Sequence, residues 1–204
     1  MLPLKLLYIG ICVGALLMSC AQSAKVAAPS ISASVGSTYA FTTPAEGNVF
    51  TGDWTLDSDG TILQSSTASS FPLLVFNTPV FKDFDYSTEF KIESGVVDRY
   101  AALTFRILDE NNYYAVRASA SEQSVTFARF SNGSRSVLQT WAATVPLAEW
   151  QTLNVSVRGQ DIVITLNGTE VGSIKDANYA TGKVGLGTKA DSVTHFRKIM
   201  ALAK

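Results

Sequence analysis

Three arginines give this sequence its most specific chemical feature. If the hairpin registers derived below hold, Arg106, Arg117 and Arg135 fall on one face of one sheet. The same parity collects Thr104, Tyr113, Thr126, Phe130, Gln139 and Trp141. Guanidinium and amide groups recognise hydroxyls and anions in pairs. Aromatic rings give a platform for the apolar face of a ring-shaped ligand. Arg106, Tyr113, Arg117, Gln139 and Trp141 are therefore the first candidate binding set. The competing reading is a solvated outer face with arginine stems lying along it.

Other chemistries find less support. Glu89 and Glu93 lie on one side of a strand, but residues i and i+4 are about 13 Å apart there. A retaining carboxylate pair needs about 5–5.5 Å, so they read as charges on a solvated strand. Asp57-Ser58-Asp59-Gly60 resembles part of a calcium loop. Aligned on its glycine, the first and twelfth positions are Thr55 and Ser66, which fail as ligands, so a β-turn is expected. His195 is the single histidine and reads as a strand residue, so a multi-histidine metal centre is excluded. No Gly-x-Ser-x-Gly elbow or phosphate loop is apparent, and no metal or cofactor is expected.

The 204 residues suit one domain with an appendage. Charged residues make up 16%, split 16 basic to 17 acidic, without a basic block. A nucleic-acid footprint is not expected. The apolar run Leu6–Met18 is too short to span a bilayer, which takes about 20 residues, and fits a signal-peptide core. It ends at Leu17-Met18-Ser19-Cys20, which resembles a bacterial lipobox. Residues 1–19 are then a lipoprotein signal peptide, and Cys20 is the lipidated N-terminus. Ala21 and Gln22 give no acidic retention signal, so the outer membrane is the expected destination, with the lipid as the only membrane contact. Cys12 leaves with the signal, so no disulfide is expected. Ala- and Ser-rich residues 20–38 read as a tether, and residues 39–204 as the folded domain.

That domain reads as all-β, a two-sheet antiparallel β-sandwich. Alternation recurs over short segments separated by turn signals. The expected strands are Ser87–Ile92, Tyr100–Leu108, Tyr113–Ser119, Ser124–Phe130, Arg135–Trp141, Trp150–Arg158, Asp161–Leu166 and Phe196–Leu202. Asn132-Gly133 and Asn167-Gly168 suit two-residue hairpin turns. A four-residue loop at 109–112 places Phe105 opposite Val116 and Leu103 opposite Ala118. Ser119 opposite Ser124 sets Val116 against Phe127, and the turn at 132–133 sets Phe127 against Leu138. One face becomes Leu103, Phe105, Ile107, Tyr114, Val116, Phe127 and Leu138, which is a core. A second hairpin pairs Val157 with Ile162, Val155 with Ile164 and Leu153 with Leu166, and covers it. A slip of one residue in any hairpin would exchange that strand's faces.

Several segments resemble one family. They are Asn111-Asn112-Tyr113-Tyr114-Ala115-Val116-Arg117, Asn132-Gly133-Ser134-Arg135, Trp150-Gln151-Thr152-Leu153-Asn154-Val155 and, above all, Gly182–Phe196 with Gly185-Leu186-Gly187-Thr188-Lys189-Ala190-Asp191-Ser192. The family is the concanavalin A-like jelly roll of the 3-keto-disaccharide hydrolase, or family 16 glycoside hydrolase-like, group. The resemblance implies a secreted or surface-anchored sandwich with a concave face and an association with glycans. It also adds Lys189 and Asp191, in its specific loop, to the candidate site. Family members commonly carry Trp where Gly187 stands, and an acidic pair where Arg197 and Lys198 follow Phe196. The Glu-x-Asp-x-x-Glu cluster of family 16 glucanases is missing too. The expectation is a lipid-anchored, carbohydrate-binding sandwich with little or no catalysis. The alternatives are a hydrolase acting on keto-disaccharides or polysaccharides, and a structural lipoprotein. Oligomeric state is left open.

Overall fold

Strict alternation of apolar and polar residues makes the long strands, and the faces they bury make the core. The computed structural model describes residues 31–68 and 71–204. The expected signal peptide, Cys20 and the first part of the expected tether lie outside the described residues. Strands are numbered in chain order. The first sheet runs β13 (Thr169–Lys175), β12 (Asp161–Leu166), β11 (Gln151–Arg158), β6 (Phe84–Ser94), β15 (Val193–Ala203), β4 (Ile62–Gln64), β3 (Trp54–Leu56), with β1 (Thr38–Phe41) also on β15. The second runs β10 (Ser134–Ala142), β9 (Ser124–Ser131), β8 (Asn112–Ser119), β7 (Tyr100–Asp109), β14 (Lys183–Gly187), β5 (Leu73–Phe76), β2 (Gly47–Thr51). All these strand pairs are antiparallel. This is the expected two-sheet sandwich.

The sheets meet through buried side chains. Phe84, Tyr86, Phe90, Val155, Ile164 and Phe196 come from the first, and Leu103, Phe105, Tyr114, Val116, Phe127 and Leu186 from the second. Tyr86 is fully buried, and its hydroxyl donates to Gly185 O across the core (2.9 Å). Each such apolar side chain contributes about 1.5–3 kcal/mol. Residues 31–37, read as tether, run along the sandwich. Ala33 N donates to Val80 O, and Gly36 N to Ala203 O.

The β11–β12 register pairs Leu153 with Leu166, Val155 with Ile164 and Val157 with Ile162, as expected. The β8–β9 register also agrees, with Val116 opposite Phe127. Two bulges then depart from the derived pattern. Between β7 and β8 the loop shortens to a turn at 110–111, because Asp109 pairs with Asn112. Phe105 therefore faces Tyr114, not Val116, a shift of two that leaves its face unchanged. The extra length is absorbed by a bulge after Phe105, where Arg106 takes φ 46°. A second bulge lies between Val137 and Gln139 in β10.

These bulges correct four placements. Arg106 turns inward and is 1% exposed. Ile107 turns outward and joins Leu73, Val75, Tyr113 and Phe130 on the second sheet's outer face. Gln139 lies opposite Phe127 and Trp141 opposite Val125, both core-facing partners. Trp141 packs against the core, and its indole lies over Gly172 of β13, where an added Cβ would collide with it. It covers the edge of the sandwich and does not line the outer face.

Candidate functional site

The outer face of the second sheet holds a cleft. Its floor is a stacked pair, Tyr113 on β8 and Phe130 on β9, with ring centroids 4.3 Å apart and planes 11° apart. They face each other because β8 and β9 pair Tyr113 with Phe130 directly. Phe71 stands edge-on to Phe130 at 5.1 Å, and the Arg135 guanidinium lies 5.6 Å from the Phe71 ring. The open part of the cleft has a volume near 450 Å³, between Phe50 and Thr51 on one side and the 110–111 turn on the other. That volume falls in the range of small-ligand sites.

From this opening a narrow recess of about 10 Å³ continues past Phe71. It is lined by Thr104, Arg117, Gly187 and Thr188. Gly187, with no side chain, leaves part of this space open. A Cβ there would stand 3.3 Å from Thr104 Cγ2 and 3.4 Å from Pro72 O. Thr104, Arg117 and Thr188 are at most 4% exposed. Thr104 Oγ1, Thr188 Oγ1 and Arg117 Nε and Nη1 are buried without a hydrogen-bond partner among the described residues. Buried polar atoms are nearly always paired, so four unpaired atoms on three residues of one recess single it out as the candidate site.

Arg117 rests on the Tyr100 ring, 4.8 Å from its centroid. Burial, and next the nearby Arg135, hold its pKa below the usual arginine value. A guanidinium nevertheless stays charged at neutral pH. Tyr100 is positioned by the family's specific loop. Ser192 Oγ accepts from Tyr100 N (3.0 Å) and donates to Lys189 O (2.6 Å), and Thr194 Oγ1 donates to Tyr100 O (3.0 Å).

Lys189 and Asp191 act one step further back. Lys189 pairs with Asp98 (2.9 Å) and stands 5.2 Å from the Tyr100 ring centroid. The Asp191 carboxylate accepts from Val96 N (2.6 Å), Val97 N (3.0 Å) and Asp98 N (3.0 Å). The amides of Asp98, Val96 and Val97 lower its pKa from 3.8 to about 2. With its acceptors so engaged, Asp191 holds the 95–98 loop. Because the folded-state pKa is depressed, its contribution is complete above pH 3.8 and lost as pH falls through about 2. Asp191→Ala should speed amide exchange at Val96–Asp98 at pH 7, and the wild-type advantage in melting temperature should shrink between pH 4 and pH 2. An unchanged exchange pattern would show that the loop holds without the carboxylate.

Arg106 and Arg117 do not converge. Arg106 Nη1 donates to Tyr179 O (2.9 Å), and Nη2 to Lys82 O (2.9 Å) and Gly159 O (2.6 Å). It ties together three segments at one end of the sandwich. The structure thus keeps Tyr113 and Arg117 in the cleft, places Lys189 and Asp191 beneath it, and removes Arg106, Gln139 and Trp141. Sequence reasoning missed Phe71, Thr188 and Gly187 as site residues. The signal for Gly187 was its departure from the family's tryptophan.

The remaining candidates lie on the first sheet. Asp57, Asp59 and His195 each offer a ligand atom within 4.8 Å of the others. The Thr61 hydroxyl already joins two of them, at 2.7 Å from Asp59 and 2.9 Å from His195 Nδ1. Gly60 N donates to Asp57 O, so the segment is the expected β-turn. Glu89 accepts from Arg197 and Lys198, both at 2.7 Å, and Glu93 pairs with Lys91.

Fold and cleft together define a jelly-roll β-sandwich of the kind found in galectin-like folds and carbohydrate-binding modules. The chain belongs to the 3-keto-alpha-glucoside-1,2-lyase-like domain family, which matches residues 36–201. Carbohydrate-binding module CBM66 from Bacillus subtilis is similar in structure, with a TM-score of 0.71 and 22% identity over 86% of this chain and 100% of that one. A Bacillus subtilis protein of unknown function with a galectin-like fold has a TM-score of 0.61 and 11% identity over 78% and 91%. A xylan beta-1,4-xylosidase from Bacillus halodurans C-125 gives 0.57 and 13% over 73% of this chain and 34% of its own. No curated protein sequence matches the chain significantly.

Proposed function

We propose that this protein binds a glycan in the cleft on the outer face of its second sheet. The observation that carries the reading is the recess at the end of an aromatic cleft, where Arg117, Thr104 and Thr188 are buried with polar atoms that have no partner among the described residues. The exposed Phe50 and the half-buried Phe71 offer apolar surface to a sugar above the Tyr113–Phe130 pair, and the recess offers donors to its polar groups. Family membership and the likeness to a carbohydrate-binding module support the same reading. A glycan array with purified protein tests it. Tyr113→Ala should weaken retention of any positive glycan at least 10-fold, because it removes half of the stacked floor, with little change in circular dichroism. Wild-type affinity in that variant would place binding elsewhere.

A second reading is turnover of a 3-keto-glycoside, and family membership favours it. Glu110 is the carboxylate among the cleft-lining residues. Incubation with 3-keto and ordinary disaccharides, followed by chromatography of the products, tests that reading. Release of monosaccharide that is lost in Glu110→Gln would establish turnover and make binding its first step.

The mature protein is anchored by lipid at Cys20 and displayed on the bacterial outer membrane, a reading supported by the lipobox-like Leu17–Cys20 segment. Cys20→Ser should move the protein from the membrane to the soluble periplasmic fraction. Retention in the membrane would end the lipoprotein reading.

A further inference from the structure

We infer that the cleft selects a saccharide bearing a carboxylate, a uronate, with Arg117 as its counter-charge. The inference rests on the glycan reading above and adds the charge of the ligand. Arg117 carries a positive charge at 4% exposure, and no hydrogen-bonding partner for it occurs among the described residues. A buried charge without a partner is costly, and the ring of Tyr100 offsets only a fraction of that cost. Arg135, on β10 two strands away, adds like charge, and Glu122 and Asp98 each offset it by less from outside the recess lining. The recess lining holds no acid. Glu110, the acid of the open cleft, belongs to the 110–111 turn, among the residues that line the outer part and not the recess.

A neutral sugar would answer the threonine hydroxyls but leave the guanidinium without a hydrogen-bonded counter-charge. A carboxylate answers both. Its two oxygens accept strong charge-assisted hydrogen bonds from a guanidinium, and the Thr104 and Thr188 hydroxyls are further donors. Size limits what enters. A recess of about 10 Å³ admits a group about as large as one water. One oxygen of a planar carboxylate therefore reaches in while the rest of the sugar stays in the 450 Å³ opening, over the Tyr113–Phe130 pair. A sulfate, tetrahedral and bulkier, fits that recess less well.

The test compares matched ligands by titration calorimetry on the purified protein. The probes are trimers of galacturonate, mannuronate and glucuronate, the same trimers with carboxyls reduced to alcohols, and a sulfated galactan trimer. One uronate should bind at least 10-fold tighter than its reduced form and than the sulfated trimer, and the difference should fall with added salt. Arg117→Gln should erase the preference and bring acidic and reduced trimers to one weak affinity. Gly187→Ala, whose methyl enters the recess, should do the same with the arginine in place. Equal binding of acidic and reduced trimers would overturn the uronate inference and leave the glycan reading standing. Tighter binding of the sulfated trimer would reassign the anion. A preference that survives Arg117→Gln would move the counter-charge to another residue. No binding by any trimer or by the glycan array would end both readings.

Discussion

Arg117→Met should abolish glycan retention, with affinity falling about 100-fold or more, while the melting temperature stays unchanged or rises by about 2–4 °C. The two outcomes share one cause. Arg117 is a buried charge whose Nε and Nη1 have no hydrogen-bond partner among the described residues. Replacing such a charge with an apolar side chain of similar volume is commonly neutral or stabilising. The variant loses the contact with Tyr100, worth about 1 kcal/mol, and is relieved of a desolvation cost of several kcal/mol. Binding moves the other way, because a charge-assisted hydrogen bond and its neighbours are lost together. A purely structural arginine would behave oppositely. A fall of more than about 5 °C in Arg117→Met would assign the residue to the fold.

Arg106→Met should be among the most damaging single substitutions, costing about 3–5 kcal/mol in urea unfolding. Both arginines are buried, but Arg106 is used. Its guanidinium donates to Tyr179 O, Lys82 O and Gly159 O. Truncation leaves three carbonyls unpaired, each at about 1–3 kcal/mol. It also loosens the bulge that sends Ile107 to the cleft side. Arg106→Lys should recover only part of the loss, since one ammonium replaces two nitrogens directed at three acceptors. Unchanged stability in Arg106→Met, measured by the urea midpoint, would contradict this strut.

The contrast explains what the sequence could and could not convey. Period-two alternation places residues correctly wherever the ladder is regular. That is why the registers of β8 with β9 and β11 with β12 follow from turn length and apolar parity alone. Alternation also continues without a break through Thr104-Phe105-Arg106-Ile107, so nothing in that run signals the bulge that reverses Arg106. The same holds for Gln139 and Trp141 beyond Val137. The short strands β1 to β5 carry too few residues to show a period, and β5 is buried throughout its length, so it reads as an unbroken apolar run. Tyr113 and Arg117 were legible because they lie on regular ladder. Thr188 and Gly187 were not, because a hydroxyl and a missing side chain take their meaning only from the recess around them. Lys189 and Asp191 stood out through the family's loop, yet their charges are spent on Asp98 and on three backbone amides.

One further property lies in where the folded chain starts and stops. Gly36 N donates to Ala203 O, and Ala203 N donates to Ser37 O, so the first and last strands of the domain leave from a single corner. An insertion whose two ends are neighbours asks little of its host, which needs to open a surface loop by only a few ångströms to accept it. The sandwich is thus equally suited to ride at the end of a stalk or to be spliced between two strands of another protein.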